Sequence, residues 1–302
     1  MTDSRHTCAV TGANGFLGAL AVRHFVRSGW TTFGLSRSPL SAEHARHVPF
    51  SLENPLEPGA LESHSVDALV HCAYDFRPVS WRDINRVNVE GSIRLFAMAR
   101  KAGVQRIVFI SSISAFPGCR SLYGKAKLEI ERAAHEAGAI VIRPGLIYGG
   151  EECGGMFGAL RATVKKSRIV PLIGSGKYPQ YLVCADDLLN MIERAAAGTL
   201  EPRGAILTAA SPQEWPMRKL LAAIASHEGL QRTFLPIPWP AVWLGLKCAE
   251  VLHVNSGFRS DSVISLVNQN PAPDFSTAKE FECAFRDPDL GPIVPVLATR
   301  SQ

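Results

Sequence analysis

Tyr123 and Lys127 stand four residues apart in the stretch SLYGKAKLEIE, residues 121–131. On a helix that spacing puts a phenol and an ammonium on one face, one turn from each other. A free tyrosine titrates at about 10 and is a poor acid–base group at neutral pH. A neighbouring cation, joined by the positive charge of an oxidised nicotinamide, would stabilise the phenolate and bring it into a useful range. Ser111 and Ser112 end the preceding apolar run RIVFISS, 106–112, where Ser112 can hold a substrate oxygen. The constellation suits hydride transfer at a ketone or secondary alcohol, with Tyr123 handling the proton and a nicotinamide carrying the hydride. Two solvated residues on a surface helix would show the same spacing, so the elements around them must decide.

The first of those elements surround TGANGFLG, residues 11–18, between an apolar run (TCAVTG, 7–12) and an amphipathic one (15–29). Gly12 permits a tight turn, Gly15 lets backbone approach a pyrophosphate, and Gly18 lets a helix pack close to a strand. The helix N-terminus adds free N–H groups and partial positive charge for the phosphates. The second strand, TTFGLS at 31–36, ends on Ser36 and Arg37, with no carboxylate to hold a ribose 2′-hydroxyl. A guanidinium that forks onto a phosphate, with a hydroxyl beside it, favours NADP(H) as the cofactor, with NAD(H) as the alternative.

Further along, DALVHCA (67–73), RIVFISS (106–112) and AIVIRPG (139–145) read as buried strands, separated by helices near 82–102 and 122–137. Repeated strand–helix–strand units predict an α/β fold: a Rossmann-type, doubly wound parallel sheet with right-handed crossovers. Residues 1–150 would form this dinucleotide-binding domain. Residues 151–302, richer in Pro and with Gly-Pro clusters between apolar runs, would form a smaller, mainly helical substrate lobe over the carboxyl edge of the sheet, where such folds bind ligands. Segments within 178–210, in particular AILTAA at 205–210, are expected to return to the main sheet.

The 302 residues, 46% hydrophobic and 20% charged, have the composition of a globular chain. A net charge of +5 suits an anionic ligand, but no basic stripe with interleaved aromatics points to nucleic acid. Seven cysteines without a C-x-x-C pair imply a reducing, cytoplasmic setting, no disulfide framework and no metal site. The most membrane-like segment, 236–254, contains three prolines, Lys247 and Glu250 and falls short of about 18 uninterrupted apolar residues. It reads as a packed or half-exposed helix without stable membrane insertion, an interfacial helix being the alternative. His71 reads as a packing residue, Glu151 and Glu152 as loop charge, and Trp215, Trp239 and Trp243 as packing. Tyr148 and Tyr178 are candidates for a substrate wall.

The chain resembles the extended branch of the short-chain dehydrogenase/reductase family, of the NAD-dependent epimerase/dehydratase type. The resemblance covers roughly 7–190 and rests on TGANGFLG, DALVHCAY, NVEGS, SSISAF, Tyr123-x-x-x-Lys127, IRPGLIYG and VCADDL, in that order. It implies a catalytic set of Ser112, Tyr123 and Lys127. It also implies dinucleotide contacts at Gly12, Asn14, Gly15, Phe16, Leu17, Arg37, Ala73 and Asn88, with Arg143, Pro144 and Gly145 near the nicotinamide end. Asp187 would tie the lobe to the sheet, and the helices at 82–102 and 122–137 would pair two copies into a homodimer.

Departures from the family pattern narrow the substrate. Ile113 and Ser114 stand where dehydratases of the family carry an acid pair, which disfavours dehydration. Gln180 and Tyr181 replace an Arg-Asp pair whose arginine binds a sugar nucleotide's diphosphate, leaving Arg161, Lys165 or Lys177 as substitutes. SLENP, 51–55, lacks the acid the family often places near the adenine. The reading is an NADP-dependent oxidoreductase acting on a small molecule. A nucleotide-sugar epimerase with retained cofactor and a non-catalytic NADP(H)-sensing protein are the alternatives.

Overall fold

The computed structural model describes residues 6–40, 45–54, 56–57, 59–150, 154–200, 206–252 and 258–288. In chain order these give β1 (Thr7–Thr11), α1 (Phe16–Arg27), β2 (Thr31–Ser36), β3 (Arg46–Pro49) and β4 (Ala68–His71). Next come α2 (Trp81–Ile84), a π-helical turn (Asn85–Val89), α3 (Glu90–Lys101), β5 (Arg106–Ile110), α4 (Leu122–Glu136) and β6 (Ile140–Pro144). The second half contributes β7 (Leu146–Tyr148), α5 (Gly155–Lys166), β8 (Ile169–Ile173), β9 (Pro179–Cys184), α6 (Ala185–Ala197) and β10 (Ile206–Ala209). It ends with β11 (Glu214–Pro216), α7 (Met217–His227), β12 (Thr233–Ile237), α8 (Trp239–Val251), α9 (Ser260–Val267) and α10 (Ser276–Glu280).

Seven strands form one parallel sheet in the order β10-β6-β5-β4-β1-β2-β3. Alternation along β1 explains the two layers. Cys8 and Val10 face a core made with α1 and α6, through Leu20, Phe25, Leu188 and Met191. Ala9 faces the opposite core, made with α3 and α4 through Leu95, Phe96 and Ile130. A strand covered on both sides has no polar face, which is why these runs are continuously apolar. β10 pairs with β6, so the chain re-enters the main sheet at 206–209.

The lobe carries more strand than the sequence suggested. β7, β9 and β11 form a three-stranded sheet, and β8 pairs with β12. Val170, Leu172 and Phe234 point into a third core with Trp215, Leu220 and Ile224. The edge strand β3 was not expected, because four half-exposed residues carry no apolar signal. The helix expected over 82–102 is interrupted by the π-helical turn, which places Asn88 fully buried. Trp215 is buried, as packing predicts, whereas Trp239 is 37% exposed and α8 has no buried residue. Among the described residues no helix is long and apolar enough to cross a membrane. Glu151 and Glu152 lie outside the described residues.

Candidate active site

The turn after β1 is fixed by crowding. Gly12 has φ +69°, and a Cβ there would lie 2.9 Å from Ala73 Cα on the loop after β4. A Cβ on Gly18 would stand 2.1 Å from the Gly12 carbonyl oxygen, so only glycine lets α1 start this close to the strand. Gly15 caps α1 with no side-chain hydrogen bond, and the first turn holds no acidic residue. The first N–H groups of α1 are therefore left for an anion. They open on a groove of ≈ 650 Å³ whose wall includes Gly12, Asn14, Gly15, Phe16, Leu17 and Gly18. Bare amides at a helix N-terminus, beside a groove of that size, fit a dinucleotide pyrophosphate.

Ser36, Arg37, Ala73, Ser111, Lys127 and Gly145 also reach this groove. Arg37 is largely exposed, 3.5 Å from Asp75. Asn14 is spent partly on the protein: its amide donates to the carbonyls of Ser38 and Pro39 and fastens the loop after β2. Two acidic residues are on the same wall, Asp75 and Glu53; the second corrects the expectation that SLENP, 51–55, brings no acid to this site. Glu53 pairs with Arg77 and Arg86, at 3.3 and 3.6 Å. Burial opposes the charge on Asp75, but hydrogen bonds from Arg77 outweigh it and hold the carboxyl below its ordinary value.

Three residues implied by the family resemblance as dinucleotide contacts are not on the groove wall: Asn88, Arg143 and Pro144, the last of which lines the lobe cavity instead. Asn88 accepts the Asp75 N–H and donates to the Asp75 carbonyl, so it shapes the loop after β4 from beneath. Arg143 gives a forked pair of hydrogen bonds to Glu131, at 2.8 and 2.5 Å, and Ser111 Oγ donates to the same carboxylate. Glu131 is buried, and this ion pair ties α4 to β6 behind the groove. Asp187 holds the backbone N–H and guanidinium of Arg286, fastening the last described segment to α6.

Tyr123 stands at the start of α4, and its neighbours revise the expected electrostatics. Burial dominates and pushes the phenol up to about 12; a hydrogen bond from Ser112 draws it partly back. Lys127, one turn on, was expected to do that lowering. Its ammonium lies 5.9 Å from the centre of the Tyr123 ring and donates instead to the Ile110 carbonyl at 2.7 Å. Burial pulls Lys127 itself down to about 8. Tyr74 packs edge-on against Tyr123 at 4.9 Å and Phe76 stacks on it at 5.7 Å. These rings, unforeseen in the sequence, explain the desolvation.

The lobe supplies a residue that sequence spacing could not reveal. Asp261 of α9 accepts the N–H groups of Leu122 and Tyr123, at 2.7 and 2.9 Å, while Ser121 caps the same helix from within. A carboxylate at a helix N-terminus satisfies orphan donors and complements the dipole. It thereby locks α4 to the lobe at the residue that carries the phenol. On the far side of Tyr123 lies a second cavity of ≈ 520 Å³, reached also by Ser112, Pro144, Gly145, Gln180 and Tyr181. Neither Tyr148 nor Tyr178 is on its described wall. Tyr123, Tyr74 and Gly145 belong to both walls, so the phenol stands where the two spaces meet.

Comparison with known proteins agrees with the fold. Residues 8–204 match the NAD dependent epimerase/dehydratase family. The chain is 32% identical over 161 residues to the ceramide reductase of Caulobacter vibrioides, covering 49% of this chain and 48% of that protein. It is 30% identical over 164 residues to the methionine adenosyltransferase 2 subunit beta of Danio rerio, covering 46% and 47%. The chain thus spans about half the length of these relatives. Among solved structures, MoeE5 in complex with UDP-glucuronic acid and NAD superposes with a TM-score of 0.65 at 22% identity, over 77% of this chain and 85% of that one.

Proposed function

The chain belongs to the NAD dependent epimerase/dehydratase family, and from that premise we propose that it is an NADP(H)-dependent oxidoreductase acting at a ketone or secondary alcohol, with Tyr123 as the acid–base residue. One observation carries the reading: Tyr123 lies on the wall shared by the glycine-turn groove and the lobe cavity.

The bound nicotinamide supplies or accepts the hydride. The chain's own groups do the rest. The turn at Gly12 and the bare N-terminus of α1 hold the pyrophosphate, and Arg37 takes the 2′-phosphate, while the Ser36 hydroxyl, expected beside it, donates to the Ser38 carbonyl at 2.6 Å and shapes the loop. Ser112 holds the substrate oxygen beside the phenol. A phenol pushed up to about 12 is fully protonated at neutral pH, so it is loaded to donate to the oxygen of a carbonyl as that oxygen gains negative charge. In the opposite direction it accepts a proton only once positive charge enters the groove, where Lys127 is already buried. Tyr74 and Phe76 shield the phenol from water, which strengthens each of these interactions.

The test is spectroscopic. Purified protein should bind NADPH, and the nicotinamide absorbance should fall when a ketone substrate is added. Tyr123→Phe should abolish that change while NADPH binding stays within a few-fold. Undiminished turnover by the phenylalanine variant would remove Tyr123 from the mechanism.

A further inference from the structure

We infer that the lobe cavity holds a substrate with a long alkyl chain, the reacting carbonyl being carried at the chain's polar end beside Tyr123. This rests on the oxidoreductase reading above and names the substrate class of that same site.

The wall is apolar from several directions at once. Leu160 of α5, Val170 and Leu172 of β8, Leu221 of α7, and Val242 and Leu246 of α8 all reach the ≈ 520 Å³ cavity. That size is ordinary for a small-molecule site. What is unusual is the distribution of charge. Among the described wall residues the charged side chains are Arg259 and Asp261, and both are already engaged. Asp261 holds the N–H groups of Leu122 and Tyr123. Arg259 donates to the Phe76 carbonyl and lies 3.9 Å from Glu250. Phe76 stacks on Tyr123, so both charges mark the reacting end. Elsewhere on the wall Thr163 donates to the Ala159 carbonyl, Gln180 to the Pro179 carbonyl and Tyr181 to Glu214, while Asn270 accepts the Ala272 N–H; Ser262, Ser265 and Gln269 add uncharged polar groups.

A nucleotide diphosphate needs the reverse arrangement. Its charges must meet cations or free N–H groups, or their burial is prohibitively costly. Arg161 and Lys165, which could have replaced the missing diphosphate-binding arginine, are held by Glu228. Neither they nor Lys177 reach the cavity. An alkyl chain leaves no polar group unpaired in such a space and gains from every methylene that leaves water.

The test reads binding without cofactor or turnover, through displacement of the neutral dye Nile red by straight-chain 2-alkanones of about six to about fourteen carbons. Affinity should rise about fourfold per methylene until the cavity is filled. Millimolar UDP-glucose should not displace the dye. Leu246→Asp puts a carboxylate on the wall and should weaken the best alkanone at least tenfold. Leu244→Asp, on the 57% exposed face of the same helix, should leave it unchanged. Circular dichroism and melting of both variants check folding; α8 has no buried residue, so both should fold. Affinity independent of chain length, displacement by UDP-glucose, failure of Nile red to bind, or equal losses in the two variants would overturn the inference. If the chain-length series holds but no alkanone oxidises NADPH, the cavity assignment stands and the oxidoreductase reading fails. Oxidation of NADPH without chain-length dependence sinks only the cavity assignment.

Discussion

Acidification should destabilise this fold through one imidazole. His71 ends β4, fully buried beneath the candidate site. Its hydrogen bonds define its protonation. Ser92 Oγ donates to the Asn88 carbonyl and so accepts from His71 Nε2–H at 2.8 Å. Thr11 Oγ1, 2.7 Å from Nδ1, then donates to it while accepting the Ala73 N–H. Every proton in this chain of contacts is placed when the ring is neutral; a second ring proton would meet a donor. Burial first, and the charge of Lys127 second, lower the pKa from 6.5 to about 3. The unfolded chain therefore binds this proton below pH 6.5 and the folded chain does not. Stability is whole above 6.5 and declines as pH falls towards 3. With about 1.4 kcal/mol per pH unit, the loss is about 2 kcal/mol at pH 5, and its limit is about 5 kcal/mol.

Urea unfolding of the wild type and of His71→Gln, compared from pH 7 to pH 4, isolates this contribution, because carboxylate titrations are common to both. The stability advantage of the wild type over the variant should shrink by about 2 kcal/mol between pH 7 and pH 5. Parallel stability curves, or a histidine resonance at this position titrating near its ordinary value, would refute the reasoning.

Two further substitutions probe the site. Arg37→Ala should weaken NADPH about tenfold or more and leave NADH nearly unchanged, as measured by fluorescence titration of both cofactors, because a charge-assisted hydrogen bond contributes about 1.5–3 kcal/mol. Asp261→Ala removes two acceptors from the start of α4; loss of a cap costs about 1 kcal/mol. It should lower kcat several-fold with the cofactor Kd unchanged, and Asp261→Asn, which keeps one acceptor, should recover part of the loss.

The features legible in the sequence are those whose constraint is local. Gly18 is dictated by its approach to the Gly12 backbone within one turn, Gly12 by its positive φ, and Tyr123 and Lys127 by a single helical repeat. Continuous apolar runs revealed β1, β4, β5 and β6 because a doubly covered strand has nowhere to place a polar face. What escaped the reading depends on the tertiary fold. Asp261 is 138 residues from the N–H of Tyr123, and nothing in α9 distinguishes that carboxylate from a solvated one. Glu131 looks like one more charge on an amphipathic helix until β6 brings Arg143 against it. The same pairing takes Arg143 away from the groove to which the family pattern assigned it. Tyr74 and Phe76 fall in a loop without periodicity, yet their rings decide how far Tyr123 is desolvated.

These placements divide the site by origin. The main sheet and α4 fix the polar groups of the candidate site: Lys127 is pinned by the Ile110 carbonyl, Ser111 and Arg143 by Glu131, and the glycine turn by its own backbone and that of Ala73. The lobe sets what stands opposite, with an apolar wall drawn from α5, β8, α7 and α8. The lobe hydrogen-bonds this framework at the start of α4 through Asp261, and beside Ser112 through Ser265, whose hydroxyl donates to Ser114 at 3.1 Å. Changes deep in the lobe wall should therefore alter which chain fits without moving the phenol. Changes at α9 should alter both, because α9 belongs to the wall and to the cap of α4 at once.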